Sequence, residues 1–427
     1  MTKIVVFAVR YSANLGDGII SDCIEHTIKE VQPDAQVLHI DLAGRDQFRQ
    51  VIFKNRNLAL KVLPRLPRWL RQQIMQFVLG RKLRNLAPVW SETLKDADLA
   101  IIGGGQLFSD ADLNFPIKIA LVAELCNTLN VPMAIYGVGA AMGWTAKGRE
   151  LFNRLVSQNL VHVAVRDENS QRALNSQMPK LTTPIDVIPD PAVIAQSCFG
   201  VAPSDIAEMA ADRVGICITA DEVLNYHADT TVAGQGRVHD LFKDLILELV
   251  ARGRTASVFT NGAQEDEETL MQICAEPEVA PLLAEGHLVR IAPFETPTDL
   301  ALAISAHEVI VGHRLHANIV AYANKLPSVG LGWDRKVQSF FEMTNRQNHC
   351  STDGALTAAK LCNQIDAAVG DPIDPSFHQR TCDQAVEGMT RLLANVSAPT
   401  AHVVKEGQWQ RLPDRLNYCT LFARWFL

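Results

Sequence analysis

Short apolar runs that end in glycine or proline, each handing over to a segment with helical apolar spacing, recur along most of this 427-residue chain. A run that is apolar throughout, rather than at alternate positions, suits a strand covered on both faces, as parallel sheets are. Helices between such strands impose parallel pairing through right-handed crossovers. In the first half, Lys3–Val9, Gln36–Ile40, Leu99–Ile102, Pro132–Tyr136, His162–Val165 and Ile185–Ile188 read as strands. Asp17–Glu30, Pro116–Leu129, Thr145–Gln158 and Asn169–Ser176 read as the helices between them. A second series begins at Val214–Ile218 and continues through Ala256–Thr260, Leu288–Ile291 and Val309–Val311.

This order predicts an α/β fold: two Rossmann-like, doubly wound domains facing a cleft, in residues 1–195 and 213–345. Residues 346–427 read as a mainly helical tail packing on both domains, with Leu412–Leu427 lying across them. Hydrophobic content of 48% and charged content of 20% suit large buried cores. The net charge of -7 offers no global basic footprint for nucleic acid. MTKIVVFAVRY enters a strand-like run at once, without the apolar region and cleavage site of a secretion signal, so a cytoplasmic protein is expected. Nine scattered cysteines without a C-x-x-C pair suit reduced thiols and speak against a zinc site.

One segment departs from the average. From about 46 to 92 no acidic residue separates Asp46 from Glu92, while Lys or Arg stands at ten positions between 49 and 84. Apolar residues including Leu63, Trp69, Ile74 and Phe77 interleave with them. The pattern predicts a basic amphipathic insertion, suited either to an anionic membrane surface or to packing on its own domain with its charges in water.

Ligands bind at the carboxyl ends of strands in open α/β sheets, so the residues that follow each strand are the candidates. After Val309–Val311 come Gly312, His313, Arg314, Leu315 and His316. The arginine offers a planar fork for phosphate or carboxylate, and a histidine can move protons near neutral pH. His313 and His316 are three apart, but no third ligand of matching spacing accompanies them, and no metal is expected. After the first strand, Asn14-Leu15-Gly16-Asp17 opens a helix. Asp17 suits either a cap or acceptance from ligand hydroxyls. Gly103, Gly104 and Gly105 follow a buried strand without the G-K-[ST] ending of a P-loop. Gly137, Gly139 and Gly143 match a dinucleotide fingerprint only loosely. Arg166 stands at another strand end, either paired with its acidic neighbours or aimed at the cleft. Asp190-Pro191 suits a turn as well as a site. Asn261 and Gly262 end a strand of the second half. No G-x-S-x-G elbow supports a hydrolase triad.

Taken in order, N-L-G-D at 14–17, G-G-G-x-L at 103–107, Y-G-V-G at 136–139, R-D-E-N-S at 166–170, D-P-A at 190–192, T-N-G at 260–262 and G-H-R-L-H at 312–316 resemble the polysaccharide pyruvyl transferase family. The resemblance implies a glycosyltransferase-B-like fold. It also implies transfer of the enolpyruvyl unit of phosphoenolpyruvate onto a sugar as a cyclic ketal, with no cofactor beyond that co-substrate. By it, His316 is the proton-transfer residue, and Arg166, Arg314 and Leu315 serve donor binding and catalysis. Gly104, Gly105, Asn261 and Gly262 are expected on the donor side, and Asn14, Asp17 and Asp190 on the acceptor side. The expected partner is a saccharide acceptor, lipid-linked if residues 49–84 dock on a membrane. Two rivals keep the same fold: a nucleotide-sugar glycosyltransferase, for which Glu265 to Glu268 would have to hold a ribose, and a non-catalytic ligand-binding member.

Overall fold

The structure is a computed structural model that describes residues 1–48, 66–200, 213–221, 224, 238–332, 334–352 and 356–397. Its first half runs β1 (Lys3–Ala8), α1 (Leu15–Val31), β2 (Gln36–Asp41), α2 (Arg68–Leu94), β3 (Leu99–Gly103) and α3 (Asn114–Leu129). It continues with β4 (Met133–Val138), α4 (Ala146–Phe152), β5 (Leu160–Val165), α5 (Glu168–Gln177), β6 (Ile185–Val187) and the short α6 (Ala195–Phe199). The second half opens with β7 (Arg213–Cys217), α7 (Val238–Ala251), β8 (Thr255–Phe259), α8 (Gln264–Ala275), α9 (Ala280–Ala284) and β9 (Leu288–Arg290). Then come α10 (Pro297–Ser305), β10 (Val309–Gly312), α11 (Leu315–Ala323), β11 (Ser328–Leu331) and α12 (Arg335–Met343). The described chain closes with β12 (Cys350–Ser351), α13 (Ala358–Val369) and α14 (Pro375–Ser397).

The strands form two six-stranded sheets, in the orders β2-β1-β3-β4-β5-β6 and β12-β11-β10-β7-β8-β9. Pairing is parallel throughout, for example Val6 with Ile101 and Ile310 with Gly215. The order reverses between β1 and β3 in the first sheet, and between β7 and β10 in the second. Loops leaving those strands diverge to opposite faces and open a crevice there. The segments from 9 to 17, 103 to 108 and 312 to 316 sit at these crevices.

Both faces of the first sheet are covered, as its unbroken apolar runs require. Val5 and Phe7 face a core with Ile102, Trp90 and Phe152. Ile4 and Val6 face a second core that runs without interruption into the other half, through Leu15, Ile19, Ala317 and Val320. The halves are also stitched polar to polar. The Leu15 amide donates to the Asn261 carbonyl at 2.8 Å, and Asn169 Nδ2 donates to Ser339 Oγ at 2.5 Å.

Two expectations about the periphery change. The helical part of the expected insertion at about 46–92 is the β2–β3 crossover helix α2, which packs on its own domain: Leu79, Leu83, Ala87, Trp90 and Leu94 bury one side of it in the first core. Residues 49–65 lie outside the described set. In the tail, β12 extends the second sheet beside β11. The helix bridging both halves is α14: the Tyr322 hydroxyl meets Thr381 Oγ1 at 3.2 Å from one half, and the Tyr136 hydroxyl donates to the Ala385 carbonyl at 2.8 Å from the other. Leu412–Leu427 lies outside the described residues.

Candidate functional site

The site is assembled around Arg166, which leaves the carboxyl end of β5. Its side chain is only 4% exposed, and its Nη2 donates to Gln106 Oε1 at 2.6 Å while Nη1 donates to Asp190 Oδ2 at 3.4 Å. Asp167, the nearest acid in sequence, stands 3.7 Å from Nε and instead caps α5 by accepting from the Ser170 amide at 2.7 Å. Of the two readings open for Arg166, the geometry therefore directs it inward, across the first sheet's crevice. Gly139 makes room for it: a Cβ there would lie 2.2 Å from Gln106 Oε1 and 2.7 Å from Arg166 Nη2. Asp190 caps the short turn that follows it through the Ala192 amide at 3.1 Å. Burial pushes the Asp190 carboxyl above its usual range, against the pull of Arg166.

His316 reaches the same place from the other half. It sits in the first turn of α11, just past the crevice of the second sheet. A Cβ on Gly16 would stand 2.7 Å from His316 Cβ and 2.8 Å from Nδ1, so only glycine at that position lets α1 and α11 approach this closely. His316 Nε2 lies 3.9 Å from Asp190 Oδ2. That is too long for a hydrogen bond, and Nε2 is buried with no hydrogen-bond partner. Burial holds the imidazole at a pKa of about 3, with the Asp17 carboxylate opposing and the cations Arg166, Lys336 and Arg314 reinforcing the shift. His316 is therefore neutral at physiological pH, with an unmet nitrogen beside a carboxyl whose ionisation is also disfavoured.

The other expected residues fall into two groups. Asn14 caps α1 by accepting from the Gly16 amide at 3.3 Å, and the half-buried Asp17 faces the same crevice, 3.7 Å from where a Gly105 Cβ would stand. These two border the site. Gly104 does not offer its amide: that N–H donates to the Tyr136 carbonyl at 3.0 Å, and Ile20 packs on its Cα. Asn261 and Gly262 lie in the seam between the halves. Asn261 is fully buried and accepts from the Cys217 thiol at 3.2 Å, and a Gly262 Cβ would stand 2.7 Å from the Ala13 carbonyl. Leu315 is 5% exposed and belongs to the shared core.

Arg314 is engaged elsewhere. Its Nε donates to Asp266 Oδ2 at 2.9 Å and its Nη2 contacts the same oxygen, so one side of the guanidinium fork is occupied by a fully buried carboxylate. Asp266 also accepts from the Ala220 amide at 2.9 Å. The acidic first turn of α8 thus anchors Arg314 through Asp266, while Glu267 contacts the Thr260 hydroxyl. His313 rests edge-on against Phe242 at 5.5 Å, in surroundings unlike those of His316. Among the described residues no group of three or more His, Cys, Asp or Glu is arranged to hold a metal ion.

Two residues join the site that the sequence alone did not single out. Gln106 directly follows the glycine triplet, and its position was the available signal. Lys336 follows the β11 edge, where its Nζ pairs with Asp334 at 3.0 Å and its charge bears on His316.

The family described as polysaccharide pyruvyl transferase matches residues 14–335. No match was found among curated proteins. Among solved structures, UDP-GlcNAc 2-epimerase from Methanocaldococcus jannaschii is 10% identical, with 92% of this chain and 99% of that chain covered and a TM-score of 0.52. The S. aureus MnaA–UDP co-structure is 12% identical, with 92% and 95% covered and a TM-score of 0.50. At this identity the likeness is one of fold: two Rossmann-like domains in the glycosyltransferase-B arrangement.

Proposed function

Because this chain belongs to the polysaccharide pyruvyl transferase family, we propose that it transfers the enolpyruvyl unit of phosphoenolpyruvate onto two hydroxyls of a saccharide, forming a cyclic pyruvate ketal. The observation that carries this reading is the meeting of Arg166 and His316, one from each half, at Asp190. Phosphoenolpyruvate bears a phosphate and a carboxylate, and a buried guanidinium binds either strongly through charge-assisted hydrogen bonds. Gln106 fixes the guanidinium plane, so the donor finds Arg166 already oriented.

The neutral His316 suits the proton traffic. An anionic donor beside it favours imidazolium, and the Asp190 carboxyl stands 3.9 Å from Nε2. Imidazolium then protonates the methylene carbon of phosphoenolpyruvate, C2 becomes electrophilic, and a sugar hydroxyl oxygen attacks it. Phosphate leaves with the C2–O bond, and the second hydroxyl closes the ketal. The two hydroxyl protons pass to His316–Asp190 and to the departing phosphate. Asp17, across the crevice, is placed to accept from an acceptor hydroxyl. Arg314, held by Asp266, bears on the site through its charge on His316.

Calorimetry tests this reading, with phosphoenolpyruvate and uridine diphosphate compared on wild type, Arg166→Lys and Arg314→Ala. Phosphoenolpyruvate is expected to bind and to lose roughly tenfold or more in affinity in Arg166→Lys, because an ammonium cannot reproduce the planar fork. Preference for the nucleotide would replace this reading with a nucleotide-sugar glycosyltransferase. Binding of neither compound would favour a non-catalytic role.

A further inference from the structure

Among the cations that bear on His316, Lys336 is the most accessible: its side chain is 23% exposed, against 14% for Arg314 and 4% for Arg166. It stands in the first turn of α12, past the carboxyl end of β11, and β11 pairs with β10, the strand that delivers His316. Helix α12 packs on α11, which carries His316. Ser339 lies three positions on from Lys336, so the two share a helix face. That face is turned to the first half, because Ser339 Oγ accepts from Asn169 Nδ2 at 2.5 Å, three residues past Arg166. Asp334 steadies the lysine: its Oδ1 accepts from the Lys336 amide and its Oδ2 pairs with Nζ, each at 3.0 Å. An ion pair this close to solvent contributes little, so an incoming phosphate can share the ammonium with Asp334.

We propose that Lys336 holds the phosphate of the donor while Arg166 takes its carboxylate, so that one phosphoenolpyruvate spans the two halves with its methylene carbon at His316. This rests on the transferase reading and assigns the two ends of its donor. Phosphoenolpyruvate carries roughly three negative charges near neutral pH, about two of them on the phosphate. A carboxylate is planar and matches a guanidinium fork, which Gln106 and Asp190 hold in one orientation. A phosphate is tetrahedral and has to move away. When the C2–O bond breaks, its electron pair goes to the phosphate oxygen. A compact charge on a flexible stem can follow that oxygen, where a fixed guanidinium cannot. Arg314, committed to the buried Asp266, supplies field rather than contact.

Calorimetry of the full chain with phosphoenolpyruvate, and competition against it by inorganic phosphate and by pyruvate, tests the assignment. Lys336→Gln should bind phosphoenolpyruvate roughly tenfold or more weakly, the loss expected when a charge-assisted hydrogen bond is removed. Inorganic phosphate should compete on wild type and roughly tenfold less well on Lys336→Gln, whereas pyruvate should compete equally on both. Lys336→Arg, which keeps the charge, should retain phosphate competition. The thermal midpoint should stay close to wild type, because the cap bond to Asp334 comes from the main-chain amide, which every variant keeps. Wild-type affinity in Lys336→Gln, or loss of pyruvate and phosphate competition together, overturns the assignment and leaves the transferase reading standing. Wild type that binds no phosphoenolpyruvate overturns that reading, and the assignment with it.

Discussion

Gly139 shows how much of the site is held by what is absent. Its missing Cβ leaves the space in which Gln106 and Arg166 meet. Gly139→Ala should therefore displace two flexible side-chain ends rather than backbone. Turnover is expected to fall by roughly tenfold or more, since a misplacement of about 1 Å at an oriented group can cost about that or more. The thermal midpoint should hold close to wild type. A variant with unchanged turnover would show that the Gln106–Arg166 contact does not position the donor. Arg166, Asp190, Asp17 and His316 were legible as residues at strand ends, because a parallel sheet delivers its strand ends to one edge. Their partners were not. Sequence spacing carries no information that Asp266, 48 positions away, occupies Arg314, or that the Asn261 carbonyl accepts from the Leu15 amide across the seam between halves.

At the scale of elements, strands and most helices were readable from apolar runs, while the role of α2 was not. It carries apolar residues on both sides and Pro88 within it, which blurs the periodicity that separates a core helix from a surface one. Only the sheet shows which side is inside. Helix α14 poses a similar problem, since the part of the tail expected to bridge the halves lies beyond it. Its hold on the first half includes the Tyr136 hydroxyl bond to Ala385. Tyr136→Phe should cost about 1 kcal/mol, the net worth of such a bond, visible as a lower midpoint in urea. A midpoint equal to wild type would mean that apolar contacts alone, such as Ile188 against Gly388, seat this helix.

For the whole molecule, buried neutral histidines couple folding to pH. Burial lowers the pKa of His39, His162, His307, His313, His316 and His378, with His313 and His316 reaching about 3. The unfolded chain takes up protons at these groups near the ordinary histidine pKa of about 6.5, whereas the native chain does not. Their contribution is complete above that pH and is lost as pH falls toward about 3 for His313 and His316. Asp190 and Asp266, raised mainly by burial, act in the opposite sense and lose stability as pH rises through their native values. His316→Gln removes one histidine from the balance. The drop in thermal midpoint between pH 7 and pH 5 should be smaller in that variant than in wild type. Equal drops would show that His316 takes up a proton in the native state, contrary to its burial.

The chain's own pattern was sufficient for two parallel sheets, for their order along the sequence and for the sheet edge at which the candidate residues stand. Each of these follows from local physics: apolar runs buried on both faces, helices between them, and one handedness of crossover. The tertiary structure alone decided how the edges face each other. His316 meets Asp190 because Gly16 lets α1 and α11 approach, and because a single apolar core continues from one half into the other. Such contacts join residues far apart in sequence, and their energies depend on burial and neighbours that exist only once both halves have folded together.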